Sequence, residues 1–347
     1  MPSSLVILPV HNNASKVQLA RISHVYQSHP DLNAWKTFAQ DFGFEIAAES
    51  DQAIYFRGYG RDPYACVASQ STTGEKEFGG AAFVARTEED FMKATSLENA
   101  SIVDLSTAPG GGKMVTIPTP GGSKIHVVFG QEERPLPTKV VSKTEVHKGE
   151  LNTSLAKLRK VKFLLLIPWL VGEFQRFKPG PAMIHKLGHY GFISKSWDED
   201  VAFYTENFNF VPSDVLHASG KAEVDILTFL HLDLGKEFSD HHSLFLARAP
   251  PDLPATMMHH TSYEVDDFDT QLLGHEYLLN KGYQLVWGVG RHILGSQIFD
   301  YWKDTSGFTI EHYADGDIVN EDTKVVRQED QGPNTLSVWG PKLPEVF

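Results

Sequence analysis

The feature that most limits what this chain can fold into is an internal repeat. His24 stands 20 residues before Phe44, and His189 stands 21 before Phe210. Between the members of each pair lies a stretch with helical spacing opened by acidic residues. These are Asp31 in the first copy and Asp198, Glu199 and Asp200 in the second, where the helix dipole favours negative charge. Further on, Pro120-Gly121-Gly122 with Ile125-His126 is echoed by Thr305-Ser306-Gly307 with Ile310-Glu311, so His126 stands in the first copy where Glu311 stands in the second. A strand–helix–strands unit also recurs within each copy, which makes four related modules. This pattern predicts an α+β fold with an N-terminal domain over 16–130, a linker over 131–183, a C-terminal domain over 184–318 and a tail over 319–347.

In the first copy, 17–26 reads as a strand and 31–43 as a helix, with Asp31 as N-cap and Gly43 at the stop. Short strands follow at 44–48, 53–58 and 65–69. The pattern restarts with a strand at 80–86, a helix at 88–95 and a hairpin over 113–119 and 123–130. In the second copy, 186–192, 222–232 and 243–249 read as strands and 197–207 as a helix. Then come a strand at 261–265, a helix at 267–281, a strand at 283–287 and a closing hairpin that ends at Tyr313. The arms of that hairpin are rich in β-branched and aromatic residues, and Asp304-Thr305-Ser306-Gly307 is its turn. The linker holds Pro135, Pro137, Pro168, Pro179 and Pro181, a basic cluster and an apolar run at 163–171. It is expected to contain helical pieces and to suit an interface. The tail is polar, with little periodicity.

A net charge of −13 argues against nucleic acid, which needs a basic surface, and against an anionic membrane surface. The apolar run of nine residues is far short of the ~20 that a membrane helix requires. One cysteine, Cys66, permits no internal disulfide and reads as a buried structural thiol. The stretch 1–10 does not read as a signal peptide, so a cytoplasmic protein is expected. Gly110-Gly111-Gly112-Lys113 lacks P-loop spacing and reads as a surface loop.

Glu311 is a carboxylate inside a mostly apolar strand. Facing inward it would need a cation to offset its desolvation. Of 16 histidines, His189 and His260 fall on the first strands of the third and fourth modules, and Glu311 on the last strand of the fourth. If the modules pair pseudo-symmetrically, these three line one concave sheet. Two imidazoles and one carboxylate on one face make the triad that suits Fe(II) and leaves positions open. Taken singly, a strand histidine is more often a satisfied core or surface residue. Equivalent positions in a repeated architecture shift that balance.

The motifs Leu187-Gly188-His189, His241-His242-Ser243-Leu244, His259-His260-Thr261-Ser262-Tyr263-Glu264-Val265, Gly290-Arg291-His292 and Tyr301…Ile310-Glu311 carry a resemblance. With them the second half resembles the extradiol catechol dioxygenases of the vicinal oxygen chelate (glyoxalase–bleomycin resistance) superfamily. The motifs span about 186–313, and the module layout extends the likeness back to about residue 16. The resemblance implies four βαβββ modules in two domains, each a curved mixed sheet forming an open barrel. It also implies Fe(II), or in some members Mn(II), in the C-terminal domain alone, a catechol-type substrate with O₂, and a homo-oligomer. Residue by residue, it implies His189, His260 and Glu311 as metal ligands. His260 is chosen over His259 because it lies four residues before the acidic Glu264. His242 matches the acid/base histidine, and His292 and Tyr301 match residues that hydrogen-bond the substrate. In the N-terminal domain His24 and His126 match two of three ligand positions, with Gly80 or a neighbouring alanine at the third, so no metal is expected there. One departure concerns the pocket: where some biphenyl-type members carry an acid three residues after the Gly-Arg-His histidine, this chain has Gly295.

Two rival readings use the same scaffold. An oxygenase resembling the 4-hydroxyphenylpyruvate dioxygenases would end in a C-terminal helix that 325–347 does not suggest. A non-enzymatic small-molecule-binding protein would not need the triad together with His242 and Tyr301.

Overall fold

The computed structural model describes residues 6–135 and 177–345. The basic cluster and the apolar run of the linker lie outside them. The chain begins with β1 (Leu19–His29) and α1 (Leu32–Phe42). The Asp31 side chain accepts from the Ala34 N–H at α1's start, a cap worth about 1 kcal/mol. Gly43 stops the helix at φ 112°, a left-handed conformation, and a β-carbon there would lie 1.8 Å from the Ala182 carbonyl oxygen. The module continues with β2 (Glu45–Glu49), β3 (Ala53–Arg57) and β4 (Cys66–Gln70). A second module follows: β5 (Glu77–Ala85), α2 (Glu88–Thr95), β6 (Ser101–Asp104), β7 (Lys113–Pro118) and β8 (Lys124–Phe129). Their sheet runs β2-β3-β4-β1-β5-β8-β7-β6. β1 and β5 meet antiparallel at its centre, and each has the last strand of its own module parallel beside it.

The second half repeats this. Its first module is β9 (Ile184–Ser194), α3 (Trp197–Asn207), β10 (Phe210–His217), β11 (Asp225–Leu232), a short β12 (Ser239–Asp240) and β13 (Leu244–Arg248). Its second is β14 (Met257–Val265), α4 (Phe268–Lys281), β15 (Gln284–His292), β16 (Ile298–Lys303) and β17 (Thr309–Ala314). The strand order β10-β11-β13-β9-β14-β17-β16-β15 matches that of the first sheet, so the fold is α+β with four βαβββ modules in two open mixed sheets.

The expected elements differ from the structure in three places, the first being β6, an exposed edge strand of four residues with no buried face to mark it. No strand is expected directly after α3, yet β10 is there. Pro212 and Asp214 are poor strand formers, and β10's backbone is satisfied by β11 on one side and by the tail on the other. The tail, read as aperiodic, supplies β18 (Ile318–Val319), β19 (Val326–Glu329) and β20 (Ser337–Trp339). β19 adds to the outer edge of β10 and β20 to that of β15, so the tail covers both sheet ends. Such pairing draws on backbone groups and leaves little hydrophobic pattern.

One apolar core runs through both halves, from Trp35, Phe38 and Phe42 of α1 to Tyr190, Tyr263 and Trp302. Polar contacts cross it: Trp35 Nε1 donates to Asp304 at 2.8 Å, and Tyr277 and Tyr283 both donate to Asp41. His29 stacks on Trp35 and bonds Ser306 Oγ at 2.9 Å. Burial pushes the His29 imidazole down to about 3 from its ordinary 6.5. Between these limits the unfolded chain binds a proton that the folded one does not, so stability falls as pH falls from 6.5 and is unaffected above it. His29→Gln is expected to flatten the acid limb of the unfolding midpoint between pH 6 and 4, by up to ~1.4 kcal/mol per pH unit. Equal slopes in the two proteins would show that His29 is not held neutral.

Candidate metal centre

Strand register brings the three sequence-selected side chains together. Ser262 on β14 pairs with His189 of β9 on one side and with Glu311 of β17 on the other. His260 lies two residues before Ser262 and so shares its face. His189 Nε2 lies 3.1 Å from His260 Nε2 and 3.3 Å from Glu311 Oε2, and His260 Nε2 lies 3.6 Å from that oxygen. Among the described residues this is the one cluster of three potential ligands within 4.8 Å of one another.

Glu311 is 0% exposed, and neither carboxylate oxygen has a hydrogen bond. Leaving a carboxylate so placed costs several kcal/mol. Donor atoms ~2.1 Å from a six-coordinate cation at adjacent corners lie ~3 Å apart. The three observed separations fit that arrangement, so the residues present can hold a divalent cation. His260 is steadied by His259, Nδ1 to Nδ1 at 2.6 Å.

Further polar groups surround the cluster. The His242 ring stands 4.0 Å from that of His189, and burial followed by the neighbouring imidazoles holds its pKa well below the ordinary value. Burial, with the charge of Glu311 added, raises the Tyr301 phenol well above its usual range. His292 Nδ1 meets the Leu336 carbonyl oxygen at 2.9 Å, and its Nε2 meets Tyr301 Oη at 2.9 Å. A carbonyl can only accept, so in the neutral ring Nδ1 carries the hydrogen and Nε2 accepts from the phenol.

These groups form one end of a cavity of about 240 Å³. From it the face becomes apolar in rows set by register. Phe229, Phe245 and the side-chain-free Gly191 lie level with His260, and Leu227, Ala247 and Ile193 form the next, half-exposed row. Leu294, Leu336 and Trp287 close the remaining wall, and Gln297 is the only neutral amide there among the described residues. No lysine or arginine lines it among the described residues.

His189, His242, His260, His292 and Tyr301 thus meet in one cavity with Glu311 beside them. Phe229, Phe245 and Trp287 are the aromatic residues of its apolar wall. Phe299 is packed behind Trp287, with ring centres 4.0 Å apart, and Ile293 is 41% exposed. His241, Asp214 and Leu336 also border the site with no role legible in the sequence. His241 shows there only as half of a His-His pair, and the other two lie on or beside β10 and β20, strands the sequence pattern does not mark.

The N-terminal sheet has the same register with other residues. His24 and His126 both pair with Ala82, which places Gly80 where the second half has His260. His24 bonds Ser23 Oγ and Tyr26 Oη, and His126 bonds Thr116 Oγ1 and the Gly79 carbonyl. A β-carbon on Gly80 would lie 2.6 Å from His126 Nε2.

Residues 186–312 match the model of the Glyoxalase/Bleomycin resistance protein/Dioxygenase superfamily, so this part of the chain is a domain of that superfamily. The chain is also similar to Metapyrocatechase 2 of Cupriavidus necator, 30% identical over 162 residues. That match spans 47% of this chain and 46%, about half, of the relative. Among solved structures, the homoprotocatechuate 2,3-dioxygenase of Arthrobacter globiformis superposes with a TM-score of 0.71 at 14% identity, over 97% of this chain and 90% of that one. The Mn(II)-bound glyoxalase of Novosphingobium aromaticivorans gives 0.70 at 20% identity over 95% of each. At such identities these two likenesses establish the fold alone.

Proposed function

We propose that the protein is an extradiol ring-cleaving dioxygenase that holds Fe(II) through His189, His260 and Glu311 and acts on a catechol bearing an uncharged, apolar substituent. The observation that carries this is the convergence of three ligating atoms 3.1–3.6 Å apart at the polar end of an otherwise apolar cavity. Fe(II) bound there supplies Lewis acidity that eases proton loss from a diol, together with the redox capacity for O₂. The protein's part is to move and hold protons. His242, kept neutral by burial, accepts a proton from the substrate and returns it. Tyr301, hydrogen-bonded to His292, offers its oxygen lone pairs to a substrate hydroxyl. The rows from Phe229 and Phe245 out to Leu227, Ala247 and Ile193 exclude water and seat the rest of the ring.

Two observations favour this reading over a 2-oxo acid oxygenase. Among the described residues the tail forms short strands and one 3-10 turn rather than a helix. The cavity also lacks a cation for the acid's carboxylate among those residues. The test is anaerobic loading with Fe(II), then addition of diols with O₂, following oxygen uptake and ring-cleavage absorbance. No turnover of any diol at one iron per chain would sink the reading, and turnover of a thiol hemiacetal without oxygen uptake would point to an isomerase.

The substituent has its own test. Burying an unpaired carboxylate among these side chains costs several kcal/mol. So kcat/KM for 4-methylcatechol is expected to exceed that for 3,4-dihydroxyphenylacetate by ~100-fold or more. Leu227→Arg should shrink the ratio. Ring cleavage of both diols at equal efficiency would leave the dioxygenase reading standing and overturn the substituent class.

A further inference from the structure

Beside the cavity runs a hydrogen-bonded line of three side chains that the proposed chemistry does not by itself require. Asp214 Oδ2 lies 2.7 Å from His241 Nε2, and His241 Nδ1 lies 3.1 Å from His242 Nδ1. All three residues are buried. Asp214 is on β10 and the two histidines lie just before β13, 27 residues away along the chain. The line is built rather than incidental. The His241 backbone N–H donates to Asp317 O, and its carbonyl accepts from Ser213 Oγ, which also bonds His231. Gly295, at φ +77°, faces the His241 ring: a β-carbon there would lie 2.8 Å from His241 Nδ1. The ring therefore occupies room that another residue at 295 would take.

We infer that Asp214 and His241 are positioning residues that set the tautomer of His242. The carboxylate accepts, so His241 carries its hydrogen on Nε2. A neutral imidazole with Nε2–H has its lone pair on Nδ1, and that lone pair accepts from His242 Nδ1–H. His242 is then left with a bare lone pair on Nε2, a nitrogen with no hydrogen-bond partner among the described residues. It meets a substrate hydroxyl as an acceptor. The alternative tautomer would present a donor and repel the hydroxyl proton. A carboxylate thus prepares a base two links away, as an acid orients a histidine in a triad, here with one ring interposed.

This inference rests on the role proposed for His242, but its decisive readout does not. In protein carrying ¹⁵N-labelled histidine and Zn(II), a diamagnetic probe, imidazole ¹⁵N shifts are assigned to residue 242 by their loss in His242→Phe. Wild type should show Nδ1 protonated and Nε2 bare. In Asp214→Asn the amide can donate to His241 and reverse the line, so Nε2 of His242 should become the protonated nitrogen. With Fe(II), Asp214→Asn should keep full iron and an unchanged KM while kcat falls ~100-fold or more, and Asp214→Glu should restore part of it. If Asp214→Asn does not fold, the wild-type tautomer alone decides. Nε2–H on His242 in the wild type, or the same tautomer in wild type and Asp214→Asn, overturns the inference whatever the enzyme's activity. A correct tautomer shift in a protein that cleaves no diol would instead fault the dioxygenase reading.

Discussion

His260→Ala, loaded anaerobically with Fe(II) and desalted, is expected to retain far less than one iron per chain, with affinity reduced more than ~100-fold. Even groups that only orient a ligand cost 10–100-fold in affinity when lost, and His260 Nε2 is one of three atoms at the centre. The same centre makes a prediction about stability. Without metal, wild-type protein carries Glu311 fully buried with no hydrogen bond to either oxygen. A divalent cation that binds the folded chain alone raises its stability by about 4 kcal/mol at a thousand times Kd. Glu311→Gln should therefore be more stable than wild type when both are metal-free, since an amide replaces an uncompensated charge, and should lose the metal-dependent rise in Tm. Metal analysis and thermal melts with and without Zn(II) check both. Full iron and full rate in His260→Ala would show that the ligands are other residues.

His242→Phe should behave differently. The ring packs 4.0 Å from His189 and 4.7 Å from Phe229 between centres, and phenylalanine preserves that packing without a nitrogen. Iron content should stay at one per chain while kcat falls ~10²–10⁴-fold, the usual worth of a positioned acid or base. The separation matters, because a residue needed only for packing would change melting temperature and rate together. A kcat within tenfold of wild type, with iron retained, would remove His242 from the proton path.

Much of the architecture could be read along the chain. Caps such as Asp31 and stops such as Gly43 act through bonds to residues three or four away, so α1 was placed almost to the residue. The strands of His189 and Glu311 are legible from their apolar and aromatic residues, whereas β14, with His259, His260, Thr261, Ser262 and Glu264 among its nine residues, is legible only over 261–265. β6, β10, β19 and β20 are not legible in this way: Pro212, Ser213 and Asp214 interrupt the apolar pattern of the buried β10, and the other three are largely exposed strands held by backbone partners. Asp214 and Leu336 were lost with them.

The sequence by itself determined the repeat, and with it the equivalence of His126 and Glu311, which follows from local spacing alone. That Gly80, rather than a neighbouring alanine, stands where the second half has His260 was decided by the register. Which side chains face one another was decided by the tertiary structure. Only the register through Ser262 brings His189 and Glu311 to the same point, and only the packing of Gly295 against His241 opens room for the line from Asp214 to His242. The physical reason is that a strand's pattern says which residues share a face. Neighbours across the sheet are set by hydrogen bonds between segments tens to hundreds of residues apart.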